Sequence, residues 1–369
     1  KFLHSAGLGA EARIGVKLPA GPEQASCLLC VMGRATCIPI TEHIPEPELG
    51  RILTPLNLDA VILTSASSDS EKVFWRALGI RTFTLHVPPH AAAGVFSLSG
   101  VQLSDCVKTC WPTAEDVGLI LLTSGTTGSP KHVPHSQAGL AHTARASSLF
   151  FRHTHEDASL AIMPLEHGQG LFVGLLPVLV SGSSAICSTS LDPGVFFELF
   201  DTFNPTWFTA IPTFYQALLV HARRHRIIPS NHNLRYIRTG SAPMEAEVMR
   251  DVEALFGLPL LMGYGSAESC HIANNPISPG QNKPGTVGIP YGNDIAVIND
   301  YGQNLPNGEV GEVVVRGPQV TKGYLDNDKA NAALFVNGWL RTGDLGKLDD
   351  DGYLSLVGRL KDQINRGGE

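Results

Sequence analysis

Leu121-Leu122-Thr123-Ser124-Gly125-Thr126-Thr127-Gly128-Ser129-Pro130-Lys131 is the stretch from which the rest of the chain can be read. The run Val117 to Leu122 is apolar throughout and predicts a buried strand. It gives way at once to a loop of glycines, hydroxyls and one lysine. Two glycines let the backbone turn tightly and bring its N–H groups close to an anion. Thr123, Ser124, Thr126 and Thr127 add hydroxyl donors, and Lys131 adds a positive charge. Such a loop suits a polyphosphate. The Gly-x-x-x-x-Gly-Lys-Ser/Thr spacing of a Walker A loop is absent. The plainer alternative is a polar turn between strand and helix.

Composition narrows the field. The chain has 369 residues, 43% hydrophobic and 17% charged. That charged share is below the usual quarter, which favours a large buried core over disorder. With a net charge of −7, nothing draws the molecule to nucleic acid or an anionic membrane, so an anionic ligand must be held by local groups. No apolar run has the length of a membrane span, and the start lacks a secretory pattern. The chain begins at Lys1 without Met, which suggests a preceding segment. Seven cysteines (27, 30, 37, 106, 110, 187 and 270) sit mostly in apolar surroundings, as reduced core thiols do. Cys27-x-x-Cys30 lies in an expected helix with no second ligand pair nearby and reads as packing rather than redox or zinc chemistry. A reducing, intracellular compartment follows, the cytoplasm or the peroxisome.

Strands are expected at 60–64, 82–87, 117–122, 160–165, 185–188, 207–210, 236–239 and 258–262. Helices are expected at 23–32, 70–78, 136–150, 194–203, 213–224 and 246–256. The alternation predicts an α/β fold of two stacked, mainly parallel subdomains, with ligands beyond the carboxyl ends of the strands. After about Gly285 the pattern becomes strands at 295–298, 312–316, 340–348 and 353–359, separated by turn signals such as Pro306-Asn307-Gly308. This predicts a small antiparallel, barrel-like subdomain. The run Asp349 to Asp351 lacks EF-hand spacing and reads as a hairpin turn.

Four further motifs follow in order: Gly240-Ser241-Ala242-Pro243, Gly263-Tyr264-Gly265-Ser266-Ala267-Glu268, Trp339-Leu340-Arg341-Thr342-Gly343-Asp344 and Gly358-Arg359-Leu360-Lys361-Asp362. With the glycine–hydroxyl loop they resemble the adenylate-forming superfamily of acyl-CoA synthetases, firefly-type luciferases and peptide-synthetase adenylation domains. The resemblance covers essentially the whole chain. It implies an αβ core over 1–285, a β-rich subdomain over 286–358, and a hinge at 359–369 to a C-terminal domain that is absent. That domain would carry a second lysine for adenylation.

The implied reaction is ATP-dependent activation of a carboxylic acid as acyl-AMP, with release of pyrophosphate and transfer to CoA or a carrier-protein phosphopantetheine. The implied cofactors are ATP, Mg²⁺ and CoA. Thr123, Ser124, Gly125, Thr126, Thr127, Gly128 and Lys131 would wrap the phosphates, Thr126 and Lys131 catalytically. Glu268 would act in catalysis and hold Mg²⁺. Ser241, Ala242, Pro243, Tyr264 and Gly265 would form the adenine slot, Tyr264 stacking on the base. Asp344 would accept the ribose hydroxyls, supported by Arg359. Gly240, Gly263, His167 and His271 would border the acid. Position 267 is Ala where the family usually has Thr, at a loss of about 1 kcal/mol unless Ser266 or Ser269 compensates. Position 132 is His where Gly is usual, which stiffens the loop.

Met163-Pro164-Leu165-Glu166-His167-Gly168-Gln169-Gly170 resembles the family's Pro-x-x-His-x-x-Gly segment. No Asp stands here to bind an amino acid's ammonium, which points to the CoA-ligase branch. Asn365-Arg366-Gly367-Gly368-Glu369 and Lys283-Pro284-Gly285-Thr286-Val287-Gly288 resemble the oxalate–CoA ligases. His271, three residues after Glu268, would bind the second carboxylate of a small diacid, either protonated or as a neutral donor, with Ser241 assisting. A protonated ring makes that preference fade with rising pH. Other readings are a nucleotide-binding module without turnover, a luciferase-like oxygenase, and a metal hydrolase built on His132, His135, His142, His153 and His155.

Overall fold

The computed structural model describes residues 1–42, 44–100, 110–123 and 131–360. Three sheets carry the chain. The first has seven strands in the spatial order Ser97–Ser99, Arg81–His86, Ala60–Thr64, Arg13–Lys17, Thr36–Pro39, Val117–Thr123 and Lys131–Ser136. Its five middle strands run parallel, and the two outer ones antiparallel. Residues 60 to 63 are buried in succession, as expected for a parallel strand covered on both faces.

The second sheet orders Ile289–Pro290, Ala273–Asn274, Leu260–Tyr264, Tyr236–Thr239, Trp207–Ala210, Ala158–Ala161 and Ser184–Cys187. Five strands are again parallel, followed by two short antiparallel ones. Phe196, Phe200, Phe208, Phe214 and Phe256 pack together here with Tyr215 and Ile237. The third sheet is antiparallel and curls around Trp339–Leu348, which pairs with Gly311–Arg316, Phe335–Val336 and Leu354–Arg359. The expected fold class holds: two parallel-rich sheets and a curled antiparallel one.

One core joins the sheets. Leu119, Leu121 and Val133 of the first sheet pack with Leu140 and Ala144 of helix Gln137–Phe150, and with Leu165, Leu171 and Phe172 that follow strand Ala158–Ala161. Another joins Tyr264 and Ile272 to Val313, Val315, Leu340 and Leu354. The third sheet thus sits against the carboxyl end of strand Leu260–Tyr264.

Most elements lie where the sequence placed them. The strand expected at 160–165 instead ends at Ala161, ahead of Pro164, and a turn closes from the His167 N–H to the Pro164 carbonyl. Strands Arg13–Lys17, Thr36–Pro39 and Lys131–Ser136, and helix Glu46–Leu53, were not expected. Lys131–Ser136 carries Pro134 and two histidines, poor strand signals. It is tolerated because it lies at the sheet edge, pairing on one side only with Val117–Thr123.

Candidate nucleotide and acid site

The glycine–hydroxyl loop joins two antiparallel strands, not a strand to a helix: Thr123 faces Lys131 across the ladder. Ser124, Gly125, Thr126, Thr127 and Gly128 lie outside the described residues, as do Lys361 and Asp362. Thr123 Oγ1 donates to the Lys131 carbonyl at 3.4 Å. Lys131 Nζ stands 3.4 Å from the Tyr324 hydroxyl and 4.5 Å from the centre of its ring. The same hydroxyl donates to Glu268 Oε1 at 2.6 Å. The expected lysine and glutamate therefore meet through a tyrosine.

Glu268 is delivered by a tight loop after strand Leu260–Tyr264. A Cβ on Gly265 would stand 2.4 Å from the Cys270 carbonyl oxygen, so only glycine lets the loop close. The Ile272 N–H returns to the Tyr264 carbonyl, and the Thr321 N–H binds the Glu268 carbonyl. Ser266 and Ser269 hydroxyls bond each other at 3.0 Å, and Ser269 is fully buried. The two hydroxyls nearest the missing one at Ala267 in sequence are already partnered with each other. His132, the other departure, is buried, with Nε2 at 3.0 Å from the Ile52 carbonyl.

Tyr264 donates to Asp344 Oδ2 at 2.5 Å, and Arg359 Nε forms an ion pair with Asp344 Oδ1 at 3.0 Å. Burial first, and Asp344 second, push the Tyr264 phenol well up, so it stays a donor. Ser241, Ala242 and Pro243 are exposed beyond the carboxyl end of strand Tyr236–Thr239, and Ser241 Oγ donates to Gln169 Oε1 at 2.5 Å. His167 is exposed on its turn.

The sequence reading missed Arg238. Its guanidinium is 4% exposed. Nε donates to Asn274 Oδ1 at 2.6 Å and Nη1 to Thr209 Oγ1 at 3.2 Å. Among the described residues no carboxylate pairs with it. Gly263 and Gly240 make room for it: a Cβ on Gly263 would stand 2.2 Å from Nη2, and one on Gly240 3.2 Å from Nη1. The available signal was an arginine inside an otherwise apolar strand. Gln169 links this group to Ser241 by donating to Thr209 Oγ1 at 3.0 Å.

His271 is 1% exposed and stacks on Tyr291, with centroids 4.2 Å apart. Burial, with His142 and Arg238 nearby, lowers its pKa to about 3. Burial beside Arg238 thus disfavours the protonated form and favours the neutral donor of the two forms the sequence allows. The other histidines do not converge. His142 meets the Gly292 carbonyl and His153 the Tyr236 hydroxyl. Among the described residues no group of three metal-ligating side chains forms.

The AMP-binding enzyme family matches residues 1–325. The chain belongs to that family. It is 34% identical over 377 residues to a probable CoA ligase, CCL9, of Humulus lupulus, covering all of this chain and 71% of that protein. It is 40% identical over 261 residues to an oxalate–CoA ligase of Arabidopsis thaliana, covering 69% of this chain and half of that protein. ATP-bound MatB from Rhodopseudomonas palustris superposes with a TM-score of 0.86 at 28% identity, over all of this chain and 72% of that one. This AMP-binding enzyme is an ATP-dependent acid–thiol ligase of the acyl-CoA synthetase type, and use of ATP and CoA follows from that membership. The oxygenase and the inert nucleotide module are not favoured. Among the described residues no helix is long and apolar enough to cross a membrane.

Proposed function

We propose that the enzyme activates a short dicarboxylic acid, and that Arg238 reads the second carboxylate. The observation that carries this is a buried guanidinium with only neutral partners, Asn274 and Thr209. A lone buried cation is costly until an anion joins it. His271 stands near enough for Arg238 to disfavour its proton, and serves as a neutral donor. The relative named as an oxalate–CoA ligase supports the same class of acid.

An oxygen of the first carboxylate attacks the α-phosphorus of ATP, and the bond to pyrophosphate breaks. The thiol sulfur of CoA then attacks the acyl carbon and AMP leaves; a carrier-protein phosphopantetheine offers the same thiol. Both reactants of the first step are negative, so placement and charge neutralisation dominate its barrier. In this reading Thr123, Lys131 and residues 124–128 receive the phosphates. Asp344 and Arg359 hold the ribose, Tyr264 and residues 241–243 border the base, and His167 lines the acyl channel. Mg²⁺ fits Glu268: the carboxylate is half-buried, and among the described residues no cation pairs with it. Bound there, the ion would offset charge on phosphate oxygens. The divisions are an αβ core over 1–285 and a β-rich part over 286–358 with a hinge from 359, except that Ile289–Pro290 pairs with Ala273–Asn274 and belongs to the second sheet. The six described cysteines are free thiols, which supports a reducing compartment, the cytoplasm or the peroxisome.

Pyrophosphate release from a panel of short acids, with the full-length protein, tests the proposal. A diacid should outperform the monoacid of equal length by about two orders of magnitude, since a site built around donors rejects a ligand that leaves them unpaired. Arg238→Met should erase that preference and leave ATP affinity close to the parent value. The preference should stay flat through the neutral pH range, because arginine keeps its charge and His271 has none to lose. A variant that keeps its diacid preference overturns the assignment.

A further inference from the structure

Lys131 and Glu268 are the two charges expected to face the phosphates and the metal. Neither forms an ion pair among the described residues. Both are half-buried, where opposite charges attract more strongly than in water. Yet they share one neighbour, the Tyr324 hydroxyl, which donates to Glu268 at 2.6 Å and faces the lysine ammonium at 3.4 Å. We propose that Tyr324 is a positioning residue: its hydroxyl stands between ammonium and carboxylate and prevents their collapse into a direct ion pair, leaving Lys131 for a phosphate oxygen and Glu268 for a divalent cation. This rests on the reading that ATP and the metal bind here.

The backbone around Tyr324 is built to hold a spacer still. Its N–H donates to Asn331 Oδ1 at 2.7 Å, and its carbonyl accepts from Asn331 Nδ2 at 2.8 Å. Asn331 sits on helix Asp328–Leu334. Gly323, at φ +136°, passes so close that a Cβ would stand 3.0 Å from the Asn331 side chain. On one side the Thr321 N–H binds the Glu268 carbonyl at 2.8 Å. On the other, Thr321 Oγ1 donates to the Pro134 carbonyl at 2.8 Å and the Leu325 N–H to the His132 carbonyl at 3.1 Å. The strap is thus tied to the strand that carries Lys131 and to the loop that carries Glu268. The ring is 6% exposed and packs in the shared core. Packing alone asks for a ring and not for a hydroxyl; the two polar contacts are what phenylalanine cannot supply.

Tyr324→Phe in the full-length protein separates the two roles. Calorimetric binding of ATP is measured over a magnesium titration, with thermal melting as the control for folding. The variant should melt like the parent, bind magnesium-ATP about tenfold more weakly, and need more magnesium for half-maximal binding. In a Lys131→Gln background no ion pair can form, so adding Tyr324→Phe should leave the magnesium midpoint unmoved. A Tyr324→Phe protein with the parent's affinity and magnesium midpoint overturns the inference alone. The same tenfold loss in the Lys131→Gln background also overturns it, since the hydroxyl would then act directly on the ligand. A parent that does not bind magnesium-ATP sinks the site reading and this inference together.

Discussion

Asp344 is held from two sides before any ligand arrives, by the Tyr264 hydroxyl on one oxygen and Arg359 Nε on the other. Its own N–H is fixed by Thr342 Oγ1 at 3.1 Å. An acceptor so fixed loses little freedom when a diol binds, which is how a single residue gains weight. Asp344→Ala should weaken ATP binding by about 1.5–3 kcal/mol, the range for hydrogen bonds to a charged group. Isothermal calorimetry reads this directly, and an unchanged affinity would remove Asp344 from the ribose role. The same scale explains what the motifs conceal. Asp344 and Glu268 are legible as letters at fixed spacing. Arg238 and Tyr324 are not, because their meaning lies in partners 36 and 56 residues away.

Among elements, the turn from strand Leu260–Tyr264 into the Glu268 loop is the most tightly specified. Gly265→Ala would drive a Cβ into the Cys270 carbonyl, and relief requires the loop to move. It should cost about 1–3 kcal/mol of stability and lower magnesium-ATP affinity more than Asp344→Ala does. Urea unfolding together with calorimetry would check both, and a variant with parent-like stability and affinity would contradict the close approach. Legibility at this scale followed burial. Trp207–Ala210, Tyr236–Thr239 and helix Ala246–Phe256 were readable because apolar runs or helical periodicity announce them. Lys131–Ser136 was not, since an edge strand with one pairing partner tolerates proline and polar residues. Arg13–Lys17 was not either: it is five residues long, with Arg and Lys at its ends, and its place at the centre of the sheet is set by the strands on either side.

At the scale of the whole molecule, two buried histidines, His135 and His271, and the half-buried His153 make stability depend on pH. Burial is the leading cause in each case, lowering His135 and His153 to about 4 and His271 to about 3 from an ordinary 6.5. The unfolded chain therefore takes up these protons first. Their contribution is complete above the ordinary value and is lost as pH falls toward the folded values, at about 1.4 kcal/mol per pH unit for each ring. Urea midpoints should fall steadily between about pH 6.5 and 4. His153→Phe, which keeps a ring beside Trp207, should remove a share of that slope. A midpoint constant over the interval would show these rings to be accessible to protons in the folded state. The strap through Tyr324 has a consequence of another kind. Lys131 meets its phenol across 193 residues of sequence, and Lys322 meets Glu115 across 207. Such closures come late, because the loop entropy is spent before the contact is made. A nascent chain halted short of residue 324 already carries the lysine and the glutamate, with nothing between them. Synthesis must pass that point before the ribosome has made a chain in which the two charges can be held apart.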